Sequence, residues 1–326
     1  MPINMLASAS AIRKFCTPIL LLISLPAFAN HGPGASGGGS STLSGEILKP
    51  GHFELSLRED FSQFEKFSNQ GAAARARSGG DFDALDHGFL TSLDFAYGVF
   101  DNFQIGTSIG YFIGNDFKSA SLQSDGSVEE AKVNPQGLSD LTITGKYRIL
   151  HGAPGNLAII AGVKAPTGRD DVHLSNGERL SPTDQPGTGA WDFPVGVGYS
   201  RFLTSQLTMD ASALYTFRTE NNHFQVGDRL DVGVALGYRV TESIQKYPQL
   251  GIFGELLDVS LQKDKENGQK DPNSGSNTLY ITPGARLRFD KNWAVTLAPS
   301  FPIIQDVNGD QGEVRYKIAL TLTFSN

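Results

Sequence analysis

Residues 313–324 read Glu-Val-Arg-Tyr-Lys-Ile-Ala-Leu-Thr-Leu-Thr-Phe, and the alternation in this stretch decides the fold. Val314, Tyr316, Ile318, Leu320, Leu322 and Phe324 fall on one face. Glu313, Arg315, Lys317, Ala319, Thr321 and Thr323 fall on the other. Successive residues of a strand point to opposite sides of a sheet, so this segment has one apolar and one polar face. The pattern recurs upstream. In 229–240, Leu230, Val232, Val234, Leu236, Tyr238 and Val240 oppose Arg229, Asp231 and Arg239. In 141–149, Leu141, Ile143, Tyr147 and Ile149 oppose Lys146 and Arg148, and 207–218 and 279–289 behave alike. None of these apolar faces carries a charge.

Extending the reading outward gives twelve segments: 52–62, 88–99, 103–114, 138–150, 157–167, 189–203, 207–218, 229–240, 248–261, 278–289, 293–304 and 313–324. A tilted strand crosses the hydrocarbon of a membrane in about 9–11 residues, and each segment is that long. The ninth, 248–261, alternates poorly and its register is not fixed by the pattern. Connections after even-numbered segments are short, such as Phe100–Asn102, Thr204–Gln206 and Asp290–Asn292. Those after odd-numbered segments are mostly long, at about 63–87, 115–137, 168–188, 219–228 and 262–277. Short turns at one end and long loops at the other mark an outer-membrane barrel with both termini in the periplasm. A soluble β-sandwich has no reason to sort its loops this way.

Aromatic residues agree with this sorting. Tyr97, Phe103, Tyr147, Tyr199, Tyr238, Phe289, Trp293 and Phe324 fall near the short-turn ends of outward faces, and Tyr111, Trp191, Phe217 and Tyr316 near the opposite ends. Such girdles suit rings that sit at lipid headgroups. The fold expected is therefore all-β, a transmembrane antiparallel up-and-down β-barrel of about 12 strands.

The N-terminus reads as an export signal. Arg13 and Lys14 precede the apolar run 18–26, and Ala27-Phe28-Ala29 matches the small-x-small cleavage pattern. The expected organisation is a signal peptide over 1–29, a flexible Gly/Ser-rich leader over 30–50, and an outer-membrane barrel over 51–326. Composition leaves open whether the leader enters the lumen or dangles in the periplasm. Cleavage removes Cys16, the single cysteine, so no disulfide stabilises the mature chain. It also removes two of 27 basic residues, leaving 25 against 34 acidic ones and a formal charge of −9. Nucleic acid is not a partner for such a surface. The partners expected are the lipid bilayer, lipopolysaccharide, the outer-membrane assembly machinery and a small-molecule solute.

The inward faces supply the candidate functional residues. The pore-lining candidates are Asp140, Lys146, Arg148, Asp192, Arg229, Asp231, Arg239, Arg286, Arg288 and Arg315. Rings of charge select solutes in a pore, whereas the same residues in a narrow barrel form a salt-bridged filling. No catalytic, metal or cofactor site is expected. Gly106-Thr107-Ser108-Ile109-Gly110 fits the G-x-S-x-G pattern but sits mid-strand, where the required sharp turn is missing. Asp306, Asn308 and Asp310 resemble a calcium loop, but Gly312 comes one place late and a tight polar turn accounts for them. The six histidines form no ligand array. Asp86-His87 and Asp171/His173 are the places a surface hydrolase would use, and solvated loop polarity explains both.

Three stretches carry a family resemblance: Gly137-Leu138-Ser139-Asp140-Leu141 running into Gly145-Lys146-Tyr147-Arg148, Pro186-Gly187-Thr188-Gly189-Ala190-Trp191-Asp192 running into Gly196-Val197-Gly198-Tyr199-Ser200-Arg201, and Gln305-Asp306-Val307-Asn308-Gly309-Asp310-Gln311. With His31-Gly32 and the Gly-rich leader, they resemble the family described as MetA-pathway of phenol degradation. The resemblance implies an outer-membrane barrel that passes small hydrophobic or aromatic compounds. It supplies no catalytic residue. A structural or adhesive barrel with a closed lumen is the alternative expectation, and a membrane-embedded hydrolase a further one.

Overall fold

The computed structural model describes residues 38–79, 81–243, 245–309 and 311–326. The expected signal peptide, Cys16, His31 and the start of the leader lie outside the described residues, as does Asp310 of the calcium-like turn. Twelve long strands form the wall. They are β1 (Phe53–Phe64), β2 (His87–Phe100), β3 (Phe103–Asn115), β4 (Leu141–Leu150), β5 (Asn156–Ala165) and β6 (Asp192–Phe202), followed by β7 (Leu207–Arg218), β8 (Arg229–Arg239), β9 (Gln249–Leu261), β10 (Ser276–Arg288), β11 (Trp293–Val307) and β12 (Val314–Ser325). Each pairs antiparallel with its sequence neighbours, and β1 pairs with β12 from Glu54↔Ser325 to Phe64↔Val314. The sheet thus closes on itself and leaves no edge, which a wall in hydrocarbon requires.

The apolar faces point outward. Leu57, Leu297 and Leu320 are 50%, 50% and 48% exposed in an unbroken belt around the barrel. An apolar surface of that extent is a lipid-facing one. Aromatic clusters bound the belt at both ends. At the short-turn end Phe53 packs on Phe95 and Phe324, and Trp293 on Phe324, with centroids 5.0–6.1 Å apart. At the loop end Phe61 packs on Phe89 and Tyr316 at 5.0 and 5.9 Å. Phe53 and Phe61 are eight residues apart on β1, about 27 Å along the strand, which suits a tilted crossing of the apolar layer.

Strand β9 takes a full register with both neighbours despite its poor alternation. Gln249, Gly251, Phe253 and Glu255 turn inward, while Leu250, Ile252 and Leu256 turn out. Strand β12 departs from the alternation read in its sequence. Gln63 pairs with Tyr316 and Phe64 with Val314, so Arg315 is skipped at a bulge. The extra residue reverses the faces beyond it. Val314 turns inward and is 4% exposed, and Arg315 turns out.

The loop end is more ordered than loop composition suggests. Helix α1 (Asn69–Gly79) begins where the Ser68 hydroxyl accepts from the Gly71 amide, a side-chain cap on an alanine-rich segment. Its Ala72 and Ala76 pack on Phe82 and Ala120 in a small sheet made of 81–84, 117–122 and 128–133. Two long connections thereby fold into one unit. A second small sheet joins 220–225 to 265–270.

Candidate functional site in the barrel lumen

The lumen takes its character from the inward-facing polar residues. Towards the loop end, Lys164 on β5 bonds Asp140 at 2.5 Å and Asp192 at 3.1 Å, and Arg218 lies 3.9 Å from Asp192. Asp140 also accepts from the amides of Gly168 and Thr188, which ties the 166–191 connection to the wall. Arg229 and Asp231, two apart on β8 and so on one face, close a forked pair at 2.7–2.9 Å. Nearer the short-turn end Lys146 and Arg286 are buried. Arg148, Arg239 and Arg288 sit lower, at the rim, where they donate to the carbonyls of Asp101, Ser205 and Lys291. Nine of the ten residues expected in the lumen therefore have side chains inside the barrel or on its lower rim. Arg315 is the correction. The bulge places it outside, where it bonds Glu65 at 2.9 Å.

The leader enters this lumen. The Leu48 amide donates to Gln104 on β3, Gly45 to Ser200 on β6, Leu43 to Ser212 on β7, and Gly38 to Asp210. The strongest hold is on β9. The amides of Ser40, Ser41 and Thr42 all donate to the Glu255 carboxylate, at 2.9, 3.0 and 2.5 Å, and the Thr42 hydroxyl adds a fourth bond at 2.6 Å. Consecutive amides around an anion form a backbone nest. Gly39 permits it, because a β-carbon there would lie 2.6 Å from the Glu255 carboxyl carbon. Gly198 of the wall likewise leaves room for the Ser44 carbonyl. Glu46 lies among Asp210, Lys146 and Arg148, and burial pushes its pKa up to about 7.

A second closure stands at the loop end. The 166–191 connection folds inward and puts Val172, Leu174 and Leu180 against Phe64, Phe112 and Tyr280. Gln185 fixes its shape, accepting from the Val172 amide and donating to the carbonyls of Val172 and Leu180. These side chains make an apolar constriction. Between leader and constriction lies a cavity with about 70 Å³ of water-sized space. A smaller void shares Asp60 and Ser62 with it and reaches Phe64 and Phe112 beneath the constriction.

Sequence reading missed Glu255 and Glu46, and it left open whether the leader enters the lumen. The signal for Glu255 was present. It is a lone carboxylate among Ile252, Phe253, Leu256 and Leu257, and in a membrane wall such a group must turn inward and find donors. Of the motif residues weighed and set aside, Ser108 lies mid-strand opposite Thr142. The His87 ring packs on Phe61 and Phe89. His173 Nδ1 donates to the Asp171 carbonyl at 2.7 Å. In the calcium-like turn, Asn308 donates to the carbonyls of Ser274 and Gly275.

A family profile matches residues 33–301, most of the chain. The chain belongs to the family described as MetA-pathway of phenol degradation. Among solved structures, this MetA-pathway protein is similar to an outer membrane channel from Pseudomonas putida F1, at 13% identity and a TM-score of 0.59, covering 86% of this chain and 97% of that one. It is also similar to the NanC porin, at 11% identity and a TM-score of 0.46, covering 83% and 98%. The first likeness establishes the fold of an outer-membrane barrel. No curated protein matches.

Proposed function

We propose that this MetA-pathway protein is an outer-membrane channel through which small solutes pass passively. The observation that carries the reading is a charged, partly empty lumen, closed by a leader that is held to the wall through hydrogen bonds. A barrel that needed only rigidity would fill its lumen from the wall itself. Family membership supports small apolar or aromatic compounds as solutes, and the similar fold of an outer membrane channel supports the location and the passive mode. The short-turn end faces the periplasm, and the loops face lipopolysaccharide. The chain is read as non-enzymatic, because its hydrolase-like residues serve strand pairing and ring packing.

The engaged Lys164, Asp140 and Asp192 network favours a second reading, a closed structural barrel. Single-channel conductance of the refolded mature protein, with and without residues 30–50, separates the two. Discrete steps that grow on truncation support the channel. Silence from both folded forms supports the closed barrel.

A further inference from the structure

Towards the loop end the luminal cations are matched by carboxylates, as Lys164 is by Asp140 and Arg229 by Asp231. The short-turn mouth is built differently. Arg148, Arg239 and Arg288 each donate through Nη2 to a turn carbonyl, and none of the three is paired with a carboxylate among the described residues. The turns they reach join β2 to β3, β6 to β7 and β10 to β11. Those turns stand four strands apart all the way round a wall of twelve. The three guanidiniums thus mark evenly spaced points about the opening.

The single anchor leaves donors over. Nε of Arg148, Nε and Nη1 of Arg239 and Nε of Arg288 meet no acceptor among the described residues. Arg239 is 4% exposed, and a buried donor on a charged group is costly to leave unmet. Gly251 faces inward between Arg239 and Arg286, paired with both, so no side chain stands between these two groups. Arg286 lies two residues further in than Arg288 on β10. Two carboxylates act on this end of the lumen, Glu54 on β1 and Glu46 of the leader. The turn residues Asp101 and Asp290 are exposed, and Asp290 is turned to the amides of Asn292 and Trp293. Four guanidiniums therefore face two luminal carboxylates, and one of those two belongs to the leader. A guanidinium is charged at every working pH, and its weak hydration lets it exchange water for an oxyanion readily.

We propose that Arg148, Arg239 and Arg288 form an anion-selecting ring at the short-turn mouth, and that the solute is a small molecule carrying a carboxylate or a comparable oxyanion. The spare N–H groups offer such a solute successive donors around the opening without a closed site to hold it, as passage requires. A cation meets three like charges there. The ring names the charge class of the solute and, as a statement about passage, rests on the channel reading. The preference for anions at the mouth does not.

Thiol labelling of the full mature protein, folded in detergent, tests the ring without measuring current. Thr323 faces inward on β12, and Ala294 pairs with both it and Arg288. Thr323→Cys makes it the one cysteine of the mature chain, since Cys16 lies in the expected signal peptide. Sulfonatoethyl methanethiosulfonate and its trimethylammonium counterpart are the probes, each rate being normalised to that with a free thiol. The anionic reagent should react at least about tenfold faster in low salt, because a ring of like charge concentrates counter-ions about ten- to a thousandfold. Replacing all three arginines with glutamine should bring the ratio near unity, and replacing them with lysine should keep most of it. If the triple glutamine variant does not fold, as judged by heat-dependent gel mobility, Arg288→Gln alone should lower the ratio by at least about threefold. A ratio near unity with the arginines in place, or one unchanged in the folded glutamine variant, overturns the ring. Anion-selective labelling of a barrel that passes no current sinks the channel and keeps the ring, and conductance with unselective labelling does the reverse.

Discussion

Thr42 and Glu255, separated by 213 residues of chain, meet in the middle of the lumen through an amide bond of 2.5 Å and a hydroxyl bond of 2.6 Å. With Ser40 and Ser41 beside Thr42, this one carboxylate is the principal anchor of the leader. Glu255→Ala should loosen the leader by at least about a hundredfold, since each hydrogen bond to a charged group contributes about 1.5–3 kcal/mol. Thiol labelling of a Ser41→Cys reporter reads this directly. Labelling should be slow with Glu255 present and fast without it, and equal rates would show that the leader is held elsewhere.

Seating of the leader should also depend on pH. Glu46 has its pKa raised from 4.5 to about 7 where it is buried beside Asp210, with Lys146 and Arg148 opposing the rise. The seated form therefore prefers the protonated carboxyl. The contribution to seating is fully present below about 4.5, declines as pH rises towards 7, and is absent above that. Conductance should accordingly be greater at pH 8 than at pH 5, and Glu46→Gln should flatten the dependence between those values. A wild-type pH profile retained in that variant would assign the titration to another group.

Arg286 and Arg315 should separate in a selectivity measurement. Arg286 is buried in the lumen, and the β12 bulge sends Arg315 to the outer rim. Arg286→Ala should shift the reversal potential in a salt gradient, and Arg315→Ala should leave it close to that of the unsubstituted protein. The opposite ranking would place the selective region at the rim.

Lys164 stands between Asp140 and Asp192, and all three are buried. Lys164→Met removes the ammonium shared by two buried carboxylates and should destabilise the barrel by about 3–5 kcal/mol. Urea unfolding in lipid vesicles measures this. A cost below about 1 kcal/mol would mean that water reaches the network freely.

Leu297 is half exposed on β11, four residues in from Trp293 and opposite Leu320. Leu297→Arg should cost about 2–4 kcal/mol in the same vesicle assay, and an arginine at Ile149 near the short-turn end about 0–1 kcal/mol. Similar costs at both positions would contradict the placement of the belt.

The barrel was legible in the sequence because a membrane wall imposes period-2 alternation and loop sorting on nearly every residue, as in 313–324. What escaped were departures from that period. The bulge at Arg315 reverses two faces without altering composition. Strand β9 carries glycine at 251 and 254 and a phenylalanine facing inward, so its pattern is diluted. The leader was harder still. Gly38, Gly39, Ser40 and Ser41 have the composition of a flexible linker, and their role is visible only once Glu255 is opposite them. Helix α1 was hidden by its brevity inside a long connection.

The leader precedes β1 and accepts from Arg58 on it, yet most of its partners lie on β3, β6, β7 and β9, and β1 seals the wall against β12. Its seat therefore comes into being only after most of the sheet has formed. The segment cannot template that sheet, and it must already be on the inner side when the last seam zips. Assembly of this protein is in that sense an act of enclosure, with the chain swallowing its own beginning.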